Sequence, residues 1–262
     1  SKLTIKDLAF LVCRGGWPQS IGKSERSSLL IANQYVKSIY NNDLLNQAGI
    51  TKDPKRMQAV LRSYARNIQT LASNKVILED IKSKDIDISE ATLYSYLNIL
   101  ERLFIIEETC AWAPRIRSKT ALRTSNKKGF VDPSIAAAIM GLTPDMILKD
   151  FETFGFLFES MCIRDLRIYA EQLNGEVFHY NDQYGLESDA VIRLNNGNYA
   201  LIEVKLGNKA EEQGAKNLIK LESLLIEKGH SKTAFKMILT GGEYAYRRGD
   251  DVIVVPLGCL GI

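Results

Sequence analysis

The sequence predicts an α/β fold for its last hundred residues and a mostly helical arrangement before them. Apolar residues recur at helical spacing in the first part of the chain, whereas short β-rich runs follow residue 175. Asn195, Asn196 and Gly197 form a hairpin turn signal between two of these runs. The predicted order in the last part is therefore helix, three strands, helix, strand, with one further strand.

Composition limits the classes of function that the chain can have. Its 262 residues suffice for two modest domains, and a net charge of +3 means that any basic surface must be local. Four scattered cysteines and two histidines exclude a Cys/His zinc module and favour reduced thiols in a cytoplasmic protein. No run is apolar enough for a membrane span. The opening Ser-Lys-Leu leads us to expect a piece of a longer protein.

The first 150 residues divide into two predicted parts. Residues 1–50 predict short helices that break at 14–18, and we interpret residues 1–55 as a helical linker. Residues 57–71 and 76–81 predict two further helices, and Ser89 has the character of an N-cap for a third, which a strand at Ile105 follows. This order is the outline of a winged helix, so residues 56–150 are expected to be winged-helix-like.

A basic stretch follows the predicted winged helix. Residues 114–129 contain six basic residues and no acidic one: Arg115, Arg117, Lys119, Arg123, Lys127 and Lys128. The first three would share one face of a strand, which makes the stretch a candidate for binding nucleic acid. A solvated or domain-facing surface is the alternative. The presumed recognition helix exposes mainly neutral and acidic side chains, so protein contact suits it at least as well as DNA.

The elements of residues 151–262 can be placed one by one. The apolar periodicity predicts helices at 155–173 and 211–228. Strands are predicted at 176–180, 188–194, 199–205, 234–239 and 252–255. The last two runs are apolar throughout, which is typical of buried strands.

Glu203 and Lys205 are the residues in this part that indicate chemistry. They lie two apart on a strand, so their side chains leave the same face, while Val204 faces the core. Hydrolysis of a phosphodiester needs a divalent cation held by carboxylate oxygens, and a nearby lysine can orient water or offset charge. Taken alone, Glu-x-Lys is better explained as an exposed cross-strand ion pair.

Asp189 joins this pair only if the hairpin has one particular register. A loop of two or four residues would put Asp189 opposite Val204, on the wrong face. A three-residue loop at 195–197, with Gly197 in the left-handed conformation, puts Asp189 opposite Glu203. We therefore predict that loop, and with it a site for Mg²⁺ or Mn²⁺ on Asp189 and Glu203.

Glu159 is a fourth member of the predicted site. It lies within an apolar helical stripe that includes Phe156, Cys162 and Ile163. An unpaired buried carboxylate is costly, so Glu159 should meet a cation, a metal-bound water or a lysine, with Lys205 as the candidate.

Residues 21–24 imitate the end of a phosphate-binding P-loop. In G-x-x-x-x-G-K-[ST] the first glycine would stand at position 17, which is Trp17, and Pro18 also intrudes. This segment is therefore not expected to bind a nucleotide.

The ordered set of motifs resembles a known family. These motifs are RGGWP (14–18), TLYSYL (92–97), FVDP (130–133), GFLFE (155–159), ESD (187–189) and IEVK (202–205). The set is similar to the C-terminal half of prokaryotic AAA-type ATPases whose tail is a domain of unknown function. That tail resembles the PD-(D/E)xK nuclease superfamily, which has a restriction-endonuclease-like αβββαβ fold.

The resemblance implies an ATPase domain in cis that precedes this chain and holds ATP, since the chain itself lacks a P-loop. It also implies that Asp189 and Glu203 are metal ligands, Lys205 the catalytic lysine and Glu159 the helical acid. Ser188 stands where the superfamily formula can have proline.

Two hypotheses about function follow. The first is a divalent-metal-dependent nuclease domain that cuts DNA under the control of the ATPase. The alternative is an inactive nuclease-like and winged-helix module that binds nucleic acid or a partner protein for the ATPase. An enzyme of other chemistry lacks support, because two histidines offer few nucleophile–base pairs.

Overall fold

The computed structural model describes residues 1–41, 52–114, 125–207 and 210–261, and these form a mixed α/β structure. The described helices are α1 (Ile5–Arg14), α2 (Glu25–Tyr40), α3 (Pro54–Arg66), α4 (Asn74–Lys82), α5 (Glu90–Arg102), α6 (Pro133–Met140), α7 (Pro144–Ile147), α8 (Phe151–Gln172) and α9 (Glu211–Glu227). The strands are β1 (Gly175–Asn181), β2 (Glu187–Leu194), β3 (Tyr199–Lys205), β4 (Lys236–Thr240), β5 (Tyr246–Arg247) and β6 (Val252–Pro256). Within these ranges, no helix combines the length and the apolar character needed to cross a membrane.

The chain divides into two compact units. The helical unit consists of residues 9–108 and 127–160, within their described parts. The sheet unit consists of residues 1–8, 109–126 and 161–262, again within their described parts.

In the helical unit, the three helices predicted between residues 57 and 104 are present as α3, α4 and α5. Ser89 caps α5 as predicted, because its hydroxyl accepts a hydrogen bond from the Thr92 N–H at 3.1 Å. Met57, Tyr64 and Leu93 are fully buried and hold the helices together. The strand predicted at Ile105 is reduced to an isolated bridge between Ile106 and Phe130. The winged-helix assignment stays a prediction.

Two of the sequence motifs form one contact in the helical unit. Asp132 caps α6 through the Ser134 N–H at 2.9 Å, and its second oxygen accepts from the Gly16 N–H at 2.8 Å. The Trp17 indole donates to the Ser134 hydroxyl at 2.9 Å. Gly15 has φ +74°, and a Cβ there would overlap the Asp132 and Ser134 side chains. The RGGWP and FVDP motifs are therefore explained by the contact that they form with each other.

The P-loop-like segment is the start of a helix. Ser24 is the N-cap of α2, and its hydroxyl accepts from the Ser27 N–H at 3.3 Å. Capping accounts for a serine at this position without a phosphate ligand.

The sheet unit contains a six-stranded mixed sheet in the order β1-β2-β3-β4-β6-β5. β1, β2 and β3 are antiparallel neighbours, whereas β3, β4 and β6 run parallel. The predicted order of helices and strands is present, but the two-residue strand β5 was not predicted, and α8 begins four residues before the predicted start. α9 packs on one face, where Leu218, Leu221 and Leu225 meet Val191 and Leu201.

The hairpin between β2 and β3 has the predicted register. Ala190 pairs with Ile202 and Arg193 with Tyr199, and the Leu194 N–H donates to the Asn198 carbonyl at 2.8 Å. These pairings leave residues 195–197 as a three-residue loop. Gly197 has φ +87°, so the predicted left-handed glycine is confirmed.

We expect Gly15→Ala to destabilise the protein more than Gly22→Ala. Both glycines have a positive φ, +74° and +73°, but a Cβ at Gly22 would meet nothing within 4 Å. Gly22→Ala therefore reports backbone strain alone, of about 1 kcal/mol, and Gly15→Ala adds the overlap with Asp132, for a total of roughly 3 kcal/mol. Urea unfolding of the two variants measures the difference. Equal losses of unfolding free energy in the two variants would show that the contact between the two motifs imposes no steric constraint at Gly15.

Candidate functional site

Asp189, Glu203 and Lys205 meet on the face of the sheet that α9 covers. The hairpin register, carried one pair beyond Ala190 and Ile202, places Asp189 opposite Glu203. The Lys205 ammonium lies 2.5 Å from Glu203 Oε2 and 3.5 Å from Asp189 Oδ2. The three residues predicted to share a site therefore form one charged cluster, in which the lysine bridges the two carboxylates.

Glu203 is the most deeply buried member of the cluster. Its side chain is 0% exposed, and its Oε1 has no hydrogen-bond donor among the described residues. Burial raises the pKa of this carboxyl to about 8, helped by the negative charge of Asp189 and opposed by the Lys205 ammonium; Glu187 adds a weaker upward effect. A buried acceptor without a donor is unusual, and groups perturbed in this way concentrate at functional sites.

Asp189 is held in place by the backbone of β3. Its Oδ2 accepts a hydrogen bond from the Val204 N–H at 2.9 Å. The preceding residue, Ser188, is fully buried, and its hydroxyl lies 3.0 Å from the carbonyl oxygens of Ala190 and Ile202. Ser188 thus ties the start of β2 to β3, at the position where the superfamily formula can have proline.

Two neighbours of the cluster were not predicted as members of the site. Gly214 on α9 lies so close that its Cβ would be 3.5 Å from both Glu203 Cβ and Lys205 Cε. A glycine inside an amphipathic helix is a recognisable signal of close packing. The other neighbour, Glu187, shares a strand face with Asp189 two residues away and acts on Glu203 through its charge.

The donor atoms of the cluster suit a hard divalent cation. Carboxylate oxygens are the ligands that Mg²⁺ and Mn²⁺ prefer, and Mg²⁺ commonly uses one or two of them together with water. The buried Oε1 of Glu203 supplies an acceptor without a protein donor. Within the described residues, no group of three or more His, Cys, Asp or Glu side chains is placed to hold a metal ion. An open site with two carboxylates is what these residues fit.

Glu159 lies in the helical unit, on α8. Its side chain is 13% exposed, and its Oε1 lies 2.6 Å from the Lys127 ammonium. The prediction that this buried carboxylate needs a cationic partner is confirmed, and the structure places Lys127 on it; Lys205 was the partner that the sequence indicated. An assignment of Glu159 to the metal site stays a prediction.

The basic stretch is described only at its end. Lys127 and Lys128 have side chains 9% and 6% exposed, and Lys128 lies 2.5 Å from Glu108 Oε1 and 3.0 Å from Asn74 Oδ1. Both ammonium groups are thus buried against protein partners, and we exclude these two lysines from the predicted nucleic-acid surface. The remaining candidates lie outside the described residues: Arg115, Arg117, Lys119 and Arg123.

We expect metal-free protein to lose stability as the pH rises from about 5 to 8. The pKa of Glu203 in the folded protein lies above its ordinary value, so in this range the folded protein keeps a proton on Glu203 that the unfolded chain releases. The contribution of this proton to the free energy of unfolding is lost as the pH rises through about 8. The limiting slope for one such group is about 1.4 kcal/mol per pH unit. Urea unfolding in EDTA across this range should show the slope in the wild type and its loss in Glu203→Gln.

Glu222→Gln is the matched control for that experiment. Burial alone would raise the pKa of Glu222, but hydrogen bonds from Lys236 and Thr233 outweigh it and hold the pKa below its ordinary value. The contribution of Glu222 to the free energy of unfolding is therefore lost only as the pH falls below the ordinary carboxyl range. Glu222→Gln should keep the slope of the free energy of unfolding between pH 5 and 8. An unchanged slope in Glu203→Gln would refute the assignment.

Comparison with known proteins agrees with a tail that accompanies an ATPase. A family model described as a domain of unknown function (DUF8612) matches residues 5–146, and one described as a domain of unknown function (DUF4143) matches residues 154–260. DUF4143 is typically found in AAA-ATPase-associated C-terminal regions, which agrees with the resemblance to the tail of an AAA-type ATPase.

Two individual proteins are similar to this chain. An uncharacterized protein of Haemophilus influenzae is 28% identical over 127 residues, which are 48% of this chain and 31% of that protein, so the match spans about a third of its length. A refined half-complex from a tetradecameric assembly of Thermococcus gammatolerans McrB AAA+ hexamers with bound McrC aligns at 12% identity and a TM-score of 0.27, over 76% of this chain and 70% of that one. The first family model matches more than half of the residues of this chain. The chain therefore belongs to the family described as a domain of unknown function (DUF8612), and its C-terminal part matches DUF4143.

Proposed function

We propose that this chain is the C-terminal part of an AAA-type ATPase and that its sheet unit is a divalent-metal-dependent nuclease domain of the PD-(D/E)xK kind. The observation that carries the proposal is the Asp189–Glu203 pair, bridged by Lys205, with Glu203 fully buried and its Oε1 without a donor. The order of elements, with three antiparallel strands followed by a helix and a parallel strand, supports a restriction-endonuclease-like fold.

A purely structural ion pair accounts poorly for this cluster. A second buried pair in the same unit, Glu222 and Lys236, lies at 2.5 Å, and the other Glu222 oxygen accepts from Thr233. Both oxygens of Glu222 therefore have donors, and its pKa is lowered. Glu203 is more deeply buried, with a side chain 0% exposed against 10% for Glu222, and it keeps an acceptor without a donor and a raised pKa. Groups perturbed in this way concentrate at functional sites.

The side chains of the cluster would have different roles in catalysis. Asp189 and Glu203 would hold Mg²⁺ or Mn²⁺, and the Val204 carbonyl is the candidate for a further oxygen ligand. When bound, the cation supplies charge that polarises the phosphate and acidifies a water molecule. Lys205 occupies the space between the two carboxylates, so its ammonium has to leave Glu203 when the cation binds. Its side chain is 23% exposed, which lets it turn toward a phosphate oxygen or the attacking water.

The test is hydrolysis of labelled DNA by the full-length protein with Mn²⁺. Asp189→Asn and Lys205→Met should each lower the rate by about a hundredfold or more, because each removes charge that acts in the transition state. Isothermal titration calorimetry should show that Asp189→Asn also loses cation binding. Glu176→Gln, an exposed carboxylate on β1 that pairs with Arg193, should change neither quantity. Hydrolysis that survives both site variants would assign the activity elsewhere.

A second candidate function is an inactive module that binds a partner for the ATPase. One observation favours it: Lys205 already lies within ion-pair distance of both carboxylates. In that case calorimetry should detect no cation binding at Asp189, and Lys205→Met should lower the free energy of unfolding without any effect on DNA hydrolysis. The same two measurements therefore separate the two candidates.

The helical unit has a place in either candidate function. We infer that the ATPase domain acts in cis and that the helices α3, α4 and α5 form a winged-helix-like module, which the helical linker at 1–55 separates from that domain. This module would bind nucleic acid or space the domains, and the two roles differ in whether the helical unit carries a surface for phosphate groups.

A further inference from the structure

Helix α3 has an unusually one-sided charge. Its thirteen residues include four basic side chains, Lys55, Arg56, Arg62 and Arg66, and no acidic one. The described residues of the helical unit otherwise carry both signs, so this concentration is local. Opposite charges one turn apart stabilise a helix, and the sequence of α3 offers no such pair.

Three of these cations share the exposed face of the helix. Lys55, Arg62 and Arg66 are exposed, and their separations of seven and four residues place them along one stripe. The opposite face carries Met57, Val60, Leu61 and Tyr64, all fully buried. The stripe extends from Lys55 to Arg66, or about 16 Å along the helix axis.

Among the described residues, no acidic side chain neutralises the stripe. Lys55, Arg62 and Arg66 form no ion pair in the part of the chain that the structure describes. The described carboxylates that contact α3 are engaged away from the stripe: Asp53 caps the helix through the Arg56 N–H, Asp80 accepts from Ser63, and Glu108 accepts from the Tyr64 hydroxyl. The exposed cations are therefore free to meet an external anion.

The chemistry of the stripe fits a polyanion rather than a protein surface. Only Gln58 and Ala59 lie between the cations on this face, so it lacks the aromatic or large apolar side chains that anchor protein interfaces. A nucleic-acid backbone offers regularly repeated phosphates along a length comparable to that of the stripe. Lysine and arginine side chains that point outward from a helix are a common means of contacting such a backbone.

We propose that the exposed face of α3 binds the phosphate backbone of nucleic acid without reading its sequence. The inference shares with the proposed function only the premise that nucleic acid is a partner, and it uses none of the metal-site residues. It assigns a nucleic-acid surface to the helical unit, on a helix that lies outside the basic stretch at 114–129.

The test is the salt dependence of DNA binding by the full chain. Fluorescence anisotropy with a labelled duplex of about 30 base pairs, in EDTA, gives the affinity between about 50 and 200 mM salt. A triple variant, Lys55→Gln, Arg62→Gln and Arg66→Gln, should weaken binding roughly tenfold or more and reduce the slope of log affinity against log salt by about 2 to 3. Glutamine keeps the helix propensity, and circular dichroism checks the fold.

A matched control removes the same charge elsewhere in the helical unit. Lys75→Gln, Lys82→Gln and Lys84→Gln alter three exposed lysines on and after α4, and this variant should retain most of the affinity and the slope. Because EDTA removes divalent cations, the affinity measured in this way does not depend on the metal site. Equal weakening in the two triple variants, absence of binding in the wild type, or equally tight binding of polyglutamate would overturn the proposal.

Discussion

The register of β2 against β3 is the constraint on which the candidate site depends. Side chains alternate between the faces of a strand, so a slip of one residue would carry Asp189 to the face opposite Glu203. The three-residue loop with Gly197 at φ +87° sets this register, and the Ser188 hydroxyl reinforces it by contacting the Ile202 carbonyl. A local turn geometry thereby decides whether two carboxylates can act on one cation.

The same register concentrates negative charge in an apolar environment. α9 covers this face, and Gly214 allows its backbone to approach Glu203 and Lys205 closely. With water excluded, the two carboxylates repel each other strongly, and the lysine only partly compensates. Hydrophobic residues would stabilise this position better, so the cluster costs stability. A binding site for an external ligand would explain why the protein has this destabilising cluster of charges.

Local sequence patterns predicted the elements that have strong local signals. The strand 199–205, the loop at 195–197 and the Ser89 cap depend on neighbouring residues, and all three are confirmed. The two-residue strand β5 exists only because β6 offers an edge to pair with, so its sequence carries no comparable signal. The partner of Glu159 was also beyond prediction, because Lys127 is 32 residues away and the choice among lysines is made by tertiary packing.

The basic residues show why charge in a sequence is a poor guide to a binding surface. Lys127 and Lys128 belong to the most basic stretch of the chain, yet both ammonium groups are buried against carboxylates. Arg62 and Arg66 lie outside that stretch, on an amphipathic helix, yet they are exposed and have no ion-pair partner within the described residues. An external anion can compete only for a cation that the fold leaves unneutralised and exposed to solvent. The helix α3 meets that condition, and the end of the basic stretch does not.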